Sequence, residues 1–444
     1  MSEATGNDTG LQEAVVSEFC AKGFKDFAAR LLRTTKGIPR QLRLVVWHID
    51  FEGQDFCLGL SGVFRNLRVL DLRGGSQPSR NTSDDGGGLA SCIADLLRDN
   101  TALQELSLWC DELGDAGCSV LAEALTTNDT LKKLHIVDET LTSKTVVAFA
   151  ETLVVNSALE KVDIFEVDMS EGDVSFLFEE DKYANTFKRL YILWRTKFLP
   201  QLTRLLREDR HCSDVSVDVI ESVDADVLQD FLDAVAESKT VRMLHFYPSG
   251  KTFDALDDGL VFVLNRTTTI TNIQNLMHVE EDGKALVKVL DALKDNNTVT
   301  DFIMSVDILN PEICRSLSEV LATNRTLASV EICDYYGIRP EQLRVILQGL
   351  RGNYTVTDLM VAWDPDDVEG VAEMEELLER NRGLLNKAAQ FVKGGGDVTD
   401  VEGADALKKV RSSSRLVEKL QEDTGKGKEA VLDDIASTVA RLSC

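Results

Sequence analysis

A short apolar signature returns along this chain at a nearly fixed interval, and that interval constrains the fold more than any other feature. Asn100-Thr101-Ala102-Leu103-Gln104-Glu105-Leu106-Ser107-Leu108 returns as Asn128-Asp129-Thr130-Leu131-Lys132-Lys133-Leu134-His135-Ile136. It returns again from Asn156 to Ile164, and once more from Asn185 to Ile192. The leading apolar residues Leu103, Leu131, Leu159 and Phe187 are each 28 residues apart. A period of this size marks one supersecondary unit that cannot bury its apolar face alone, so neighbouring units must stack.

The pattern extends both ways. Leu67, Leu70 and Leu72 form a copy upstream, and Leu42, Leu44 and Val46 a degenerate first one. Downstream come Val241-Leu244-Phe246, Val299-Phe302-Met304, Leu327-Val330-Ile332 and Val356-Leu359-Val361. Two copies are poor. The stretch Asp214 to Ile220 reads as alternating valines, and Asn275 takes an apolar place after Ile270 and Ile273. The total is about eleven repeats. Each has a second half of helical period. After Leu108, residues Ala116, Val120, Leu121, Ala124 and Leu125 share one helix face. Leu286, Val289, Leu290 and Leu293 do the same, and Asn310-Pro311 opens another helix as cap and first-turn proline. L-x-x-L-x-L followed by a three-turn helix predicts an α/β leucine-rich repeat solenoid. Its parallel sheet would line the concave face and its helices the convex face.

The ends read differently. Residues 1–41 are expected to form an N-terminal helical cap, since Leu11, Val15, Phe19, Phe24, Phe27, Leu31 and Leu32 have helical spacing before Gly37-Ile38-Pro39. The solenoid would occupy 42–380. Within it, the insert 74–88 is rich in Gly, Ser and Asp, which predicts a flexible loop. Residues 381–444 are expected to be a C-terminal helical cap or appendage, with helical patterns near Ala404–Leu420 and Lys428–Leu442.

The net charge of −27 is unevenly placed: residues 1–65 hold eight basic and eight acidic side chains, so the excess acid belongs to the repeats. Phosphate binding needs the opposite sign, which argues against a nucleic-acid partner. A basic protein partner fits, and so does a solvated acidic array kept from self-association. Nine cysteines without C-x-x-C pairs do not suggest a disulfide framework. Cys110, Cys118, Cys314 and Cys333 fall where repeats place small buried residues. No apolar run suits a signal peptide or a membrane span, so a cytoplasmic chain without a membrane partner is expected. The N-x-T tripeptides at Asn128, Asn296, Asn324 and Asn353 belong to the repeat consensus.

Nothing in the motifs points to chemistry. Gly425-Lys426-Gly427-Lys428 and Gly394-Gly395-Gly396 lack the order of a phosphate-wrapping loop. The histidines at 48, 135, 211, 245 and 278 have no metal-ligand spacing. No catalytic, cofactor or metal residue is assigned, and a non-catalytic chain is expected. Strand side chains alternate, so the residues flanking each inward leucine face outward. This places Glu105, Ser107 and Trp109; Lys133, His135 and Val137; Lys161, Asp163 and Phe165; and Arg189, Tyr191 and Leu193 on one face. Met243, His245 and Tyr247 follow, then Asp301, Ile303 and Ser305, then Ser329, Glu331 and Cys333. Trp194 and Trp363 should point inward. Trp109, His135, Phe165, Tyr191, Met243, His245, Tyr247, Glu105 and Asp163 are the candidate protein-binding residues. Aromatic side chains rimmed by charge resemble the centre of an interface. Rings that merely stack between adjacent strands would give the same sequence.

The units N-x-T-L-x-x-L-x-L and L-x-D-A-G-x-x-x-L-A-x-A-L (Leu113–Leu125) resemble the ribonuclease-inhibitor-like family of leucine-rich repeat proteins over residues 66–380. Within it, the chain looks most like the repeat portion of NOD-like receptors, and next like Ran GTPase-activating protein. The first likeness implies a sensing or regulatory surface in innate-immune or other signalling. The second implies GTPase stimulation in the cytosol and a run of acid near the C-terminus, whereas residues 394–444 here mix Lys with Asp and Glu. No family catalytic position transfers to a residue of this chain.

Overall fold

The computed structural model describes residues 12–16, 41–46, 68–73 and 87–442, apart from 110–112, 166, 220–222, 249–253, 276–283, 307–308, 335–336, 362–367 and 398. Its chain divides into two compact units, residues 1–194 with 208–212, and residues 195–207 with 213–444.

In the first unit, β1 (Gln12–Val16), β2 (Gln41–Val46), β3 (Val69–Arg73), β4 (Glu105–Trp109), β5 (Lys133–Val137), β6 (Lys161–Phe165) and β7 (Leu190–Arg195) pair in chain order, all parallel. Helices α1 (Gly87–Asp99), α2 (Gly114–Leu125), α3 (Ser143–Val155) and α4 (Glu171–Glu179) return the chain between strands. In the second unit, β8 (Asp214–Val219), β9 (Met243–Pro248), β10 (Asn272–Asn275), β11 (Asp301–Val306), β12 (Ser329–Asp334) and β13 (Asp358–Val361) repeat the scheme. Their helices are α5 (Leu199–Arg207), α6 (Ala225–Glu237), α7 (Asp254–Arg266), α8 (Lys284–Asp295), α9 (Pro311–Thr323) and α10 (Pro340–Arg351). Parallel neighbours need a crossover rather than a hairpin, and the helix of each repeat supplies it. This is the α/β leucine-rich repeat architecture that the period predicts.

Alternation sets the core. Leu134 and Ile136 of β5 are fully buried, while Lys133 is exposed and His135 and Val137 are half-buried. The inward leucines meet Cys118, Leu121 and Leu125 from α2 and their counterparts in each later helix, also buried. The consensus asparagines close the other end of each repeat. Asn156 Oδ1 accepts from the amides of Ala158 and Leu159, both at 2.8 Å. Its Nδ2 donates back to the carbonyls of Leu125 at 2.6 Å and Asn128 at 2.8 Å. Asn128, Asn296, Asn324 and Asn353 do likewise, donating to Leu97, Leu264, Leu293 and Leu321. The N-x-T tripeptides therefore have their amides committed to backbone, buried inside the repeats. At Ser238 and Thr267 a hydroxyl keeps the acceptor role towards Val241 and Ile270.

Several expectations are corrected. Gln12–Val16 is a strand paired with β2, not helix; Val15 and Val16 are β-branched and sit opposite Val45 and Val46. The rest of the expected N-terminal cap lies outside the described residues. So does most of the insert, but Gly87 and Gly88 already belong to α1. The weak copies at 214 and 272 are regular strands. Past β13, α11 (Val368–Lys393) runs straight through the expected boundary at residue 380. Its first part packs Met374 and Leu378 into the repeats, and its last turns join a separate core. That core combines Ala388, Ala389 and Phe391 with residues of α12 (Val401–Val410), α13 (Ser414–Thr424) and α14 (Lys428–Arg441). The single helical pattern at 404–420 is thus two helices, because Ser413 starts a new one. Gly395 and Gly396, at φ +81° and +68°, end α11 by donating to the carbonyls of Val392 and Phe391.

Cysteine usage also departs from expectation. Cys92 is disulfide-bonded. Cys118 and Cys314 are buried as expected, Cys110 lies outside the described residues, and Cys333 is only half-buried. Cys333 sits at an outward strand position, and burial pushes its thiol pKa up, with Glu331 adding to the effect. Among the described residues, no helix is long and apolar enough to cross a membrane.

Candidate protein-binding faces

Strict register turns the outward residues of the first unit into rows. Glu105, Lys133 and Lys161 are Cα partners in one row, Ser107, His135, Asp163 and Tyr191 in the next, and Trp109, Val137 and Phe165 in the third. Neighbours within a row lie about 4.8 Å apart, so side chains meet across strands.

The first two rows satisfy their own charges. Lys133 Nζ is 2.8 Å from Glu105 Oε1. Asp163 Oδ2 receives Lys161 Nζ at 3.5 Å and His135 Nδ1 at 3.3 Å. Lys161 also sits 3.9 Å from the centre of the Tyr191 ring. His135 in turn faces Trp109, with ring centroids 5.2 Å apart and planes tilted by 54°. One chain of contacts, Trp109–His135–Asp163–Lys161–Tyr191, therefore runs across four strands. From β4 to β6 the third row is apolar, with Arg73 the Cα partner of Trp109 on β3, and Trp109 keeps 38% of its surface exposed.

Sequence reasoning misplaced two residues of this face. Arg189 does not stand beside Tyr191. Its guanidinium turns into the repeat below and donates to the carbonyls of Asn156 at 2.7 Å, Leu159 at 3.0 Å and Leu153. It fills the place that the consensus asparagine amide takes in other repeats, and burial pulls its pKa down. Leu193 is buried rather than outward. Trp194 is buried as expected and donates from Nε1 to His211 Nε2 at 3.1 Å. Trp363 lies outside the described residues. The sequence carried one missed signal: Arg189 and Lys161 occupy corresponding places in successive repeats, yet only Lys161 has a carboxylate beside it in the next row.

The candidates Met243, His245 and Tyr247 belong to the second unit, so the predicted residues form two faces described separately. Each is half-buried on β9. His245 Nδ1 meets the Tyr247 hydroxyl at 3.1 Å, and the rings are edge-on at 5.3 Å. Burial pushes the imidazole pKa down to about 4, with Asp214 opposing it. Asp214, Asp218, Asp301, Glu331 and Asp358 take outward positions on these strands, and no described outward position there is Lys or Arg. Missed by sequence reasoning was Met360, 62% exposed on β13. The alternation Asp358-Leu359-Met360-Val361 does contain the signal.

No protein-family model matches the chain, and no curated protein sequence matches it. Among solved structures, the leucine-rich repeat-containing protein LegL7 from Legionella pneumophila is similar at a TM-score of 0.41 and 13% identity, over 77% of this chain and 98% of that one. Actin-Binding Site 2 of leiomodin-1 gives a TM-score of 0.30 at 16% identity, over 45% of this chain and 98% of that one.

Proposed function

We propose that this chain is a non-catalytic protein-interaction scaffold, and that its first unit grips a protein partner along the row Trp109–Val137–Phe165. One observation carries the reading: an apolar row with an exposed tryptophan stands beside two rows whose charges are already paired. Self-paired charges lose little on desolvation by a partner, and a rigid aromatic surrounded by such contacts is the usual form of a binding hot spot. His135 and Tyr191 act as supports, holding Trp109 and Lys161 in place. On the second unit, described outward strand positions that carry Asp and Glu but no Lys or Arg suit a basic partner. The half-buried thiol of Cys333 suits the cytoplasm, and counting free thiols on protein taken from cells tests whether Cys92 is bonded there.

Quantitative affinity capture with the full chain as bait tests the scaffold. The expected partner is enriched on the wild type and lost on the double variant Trp109→Ala/Phe165→Ala. Identical recoveries for both baits would remove the proposed row. The rival activity is GTPase stimulation, which the likeness to Ran GTPase-activating protein implies. Single-turnover hydrolysis by small GTPases separates the two: acceleration approaching about 10³–10⁵-fold would replace the scaffold reading.

A further inference from the structure

The C-terminal helices reach back onto the strand face of the second unit. Arg415, in the first turn of α13, places Nη2 3.0 Å from Asp301 Oδ1, a partner 114 residues away in sequence. Its other terminal nitrogen, Nη1, lies 2.8 Å from Glu418 Oε2 on its own helix. Asp301, Ser329 and Asp358 are register partners on β11, β12 and β13, so Arg415 sits on an outward row. Burial opposes its charge, but Glu418, Asp301 and Asp358 together raise its pKa.

We propose that Arg415 is a built-in occupant of this row, and that a cationic side chain of a basic partner segment displaces it. The proposal rests on the reading of the second unit as a basic partner's surface. Three features suit displacement. A terminal cap needs contacts with the last repeat, which the module already has through α11 and through Tyr354, whose ring lies under Arg380 and Lys409 at 4.7 and 5.2 Å. Arg415 instead reaches two strands further in. Next, the contact is incompletely satisfied. Ser413 is only 2% exposed, and its hydroxyl oxygen, that of Ser414 and Asn272 Oδ1 on the neighbouring strand have no hydrogen-bond partner among the described residues. Buried polar atoms left in this way weaken an interface. Finally, Glu418 gives the displaced guanidinium a second carboxylate, so it can leave Asp301 without being stranded. The module itself need not move.

Fluorescence anisotropy with labelled hexa-arginine at low salt, on the full chain, tests this. Arg415→Gln should bind the probe about threefold or more tighter than wild type, the factor expected for freeing a partly exposed ion pair. Arg415→Lys, which keeps the pair, should bind like wild type, and Asp301→Asn/Arg415→Gln should lose the gain. Unchanged thermal midpoints would confirm that each variant is folded. Equal binding by wild type and Arg415→Gln, with Glu331→Gln or Asp358→Asn still weakening it, would overturn the displacement and leave the basic-partner surface standing. A gain that survives in the double variant would also overturn it, since the probe would then not be using the Asp301 carboxylate that Arg415 occupies. No saturable binding by any variant would remove the surface and the proposal together.

Discussion

Asn156 donates its side-chain amide to the backbone carbonyl of Asn128, the equivalent residue one repeat earlier, at 2.8 Å. The asparagines thus form a ladder in which each buried amide serves two repeats. Removing one should strand two carbonyls and two amide hydrogens at once. Asn156→Ala should therefore cost about 1–3 kcal/mol in chemical denaturation. Asn156→Asp, which sets a buried carboxylate oxygen against the carbonyls of Leu125 and Asn128, should cost at least as much. A denaturation midpoint for Asn156→Ala within error of wild type would rule out a structural role for the ladder.

How much of this was legible follows from the range of each interaction. The strands and the ladder were readable because their signals are local: Leu134 and Ile136 alternate, and Asn128 sits three residues before Leu131. The pairing of Lys161 with Asp163 could be read from alternation, and the contact with Tyr191 from the 28-residue step. For Arg189 the sequence held only the missing carboxylate in the next row. Its position is outward by alternation, but a 3-10 turn at Thr186–Lys188 precedes it, and a long flexible stem lets the guanidinium reach three carbonyls of the previous repeat. The helical spacing of Leu11, Val15 and Phe19 misled because a few apolar residues fit either period, and only pairing with β2 decides between them. Arg415 and Asp301 were beyond reach, since no repeat period relates them.

Gly349 offers a steric test of how closely the helices stack. A Cβ built there would lie 1.9 Å from the backbone carbonyl oxygen of Ser318 on α9. Backbone cannot yield as a side-chain tip can, so Gly349→Ala must push α10 away from α9. The expected loss is about 1–3 kcal/mol, as for other overpacked cores. Gly383→Ala is the control, because nothing lies within 4 Å of its Cβ position. Equal melting temperatures for the two variants would mean that α9 and α10 are not packed this closely.

His245 should leave a signature in the pH dependence of stability. Burial lowers its folded pKa to about 4, against 6.5 for the unperturbed group. Between those values the unfolded chain binds a proton that the folded chain excludes. Stability should therefore be complete above about pH 6.5 and fall as the pH drops towards 4. His245→Gln removes the titrating group, so the difference between wild type and variant should change across that window and level off outside it. Denaturant midpoints at half-unit pH steps supply the measurement. A difference that stays flat from pH 7 to 4 would show that the imidazole takes up its proton as readily in the fold as in the unfolded chain.

Trp109 separates the two roles an outward ring can have. On β5 it meets its register partner Val137 and the ring of His135, and its own strand is held by Leu106 and Leu108 underneath, both buried. If the row Trp109–Val137–Phe165 is where a partner docks, Trp109→Ala should weaken binding by about 2 kcal/mol or more, as for a central aromatic anchor. The fold should lose less, since much of the ring is exposed and no cavity forms below it. If the ring serves only the sheet, through its contact with His135, the same variant should melt earlier and bind normally. His135→Ala adds the second axis. As a support it should weaken binding less than Trp109→Ala does, and the two losses should be non-additive because the residues touch. Measuring affinity and melting temperature on the single and double variants gives both answers from one set of proteins. Normal affinity in a destabilised Trp109→Ala protein would end the case for this face.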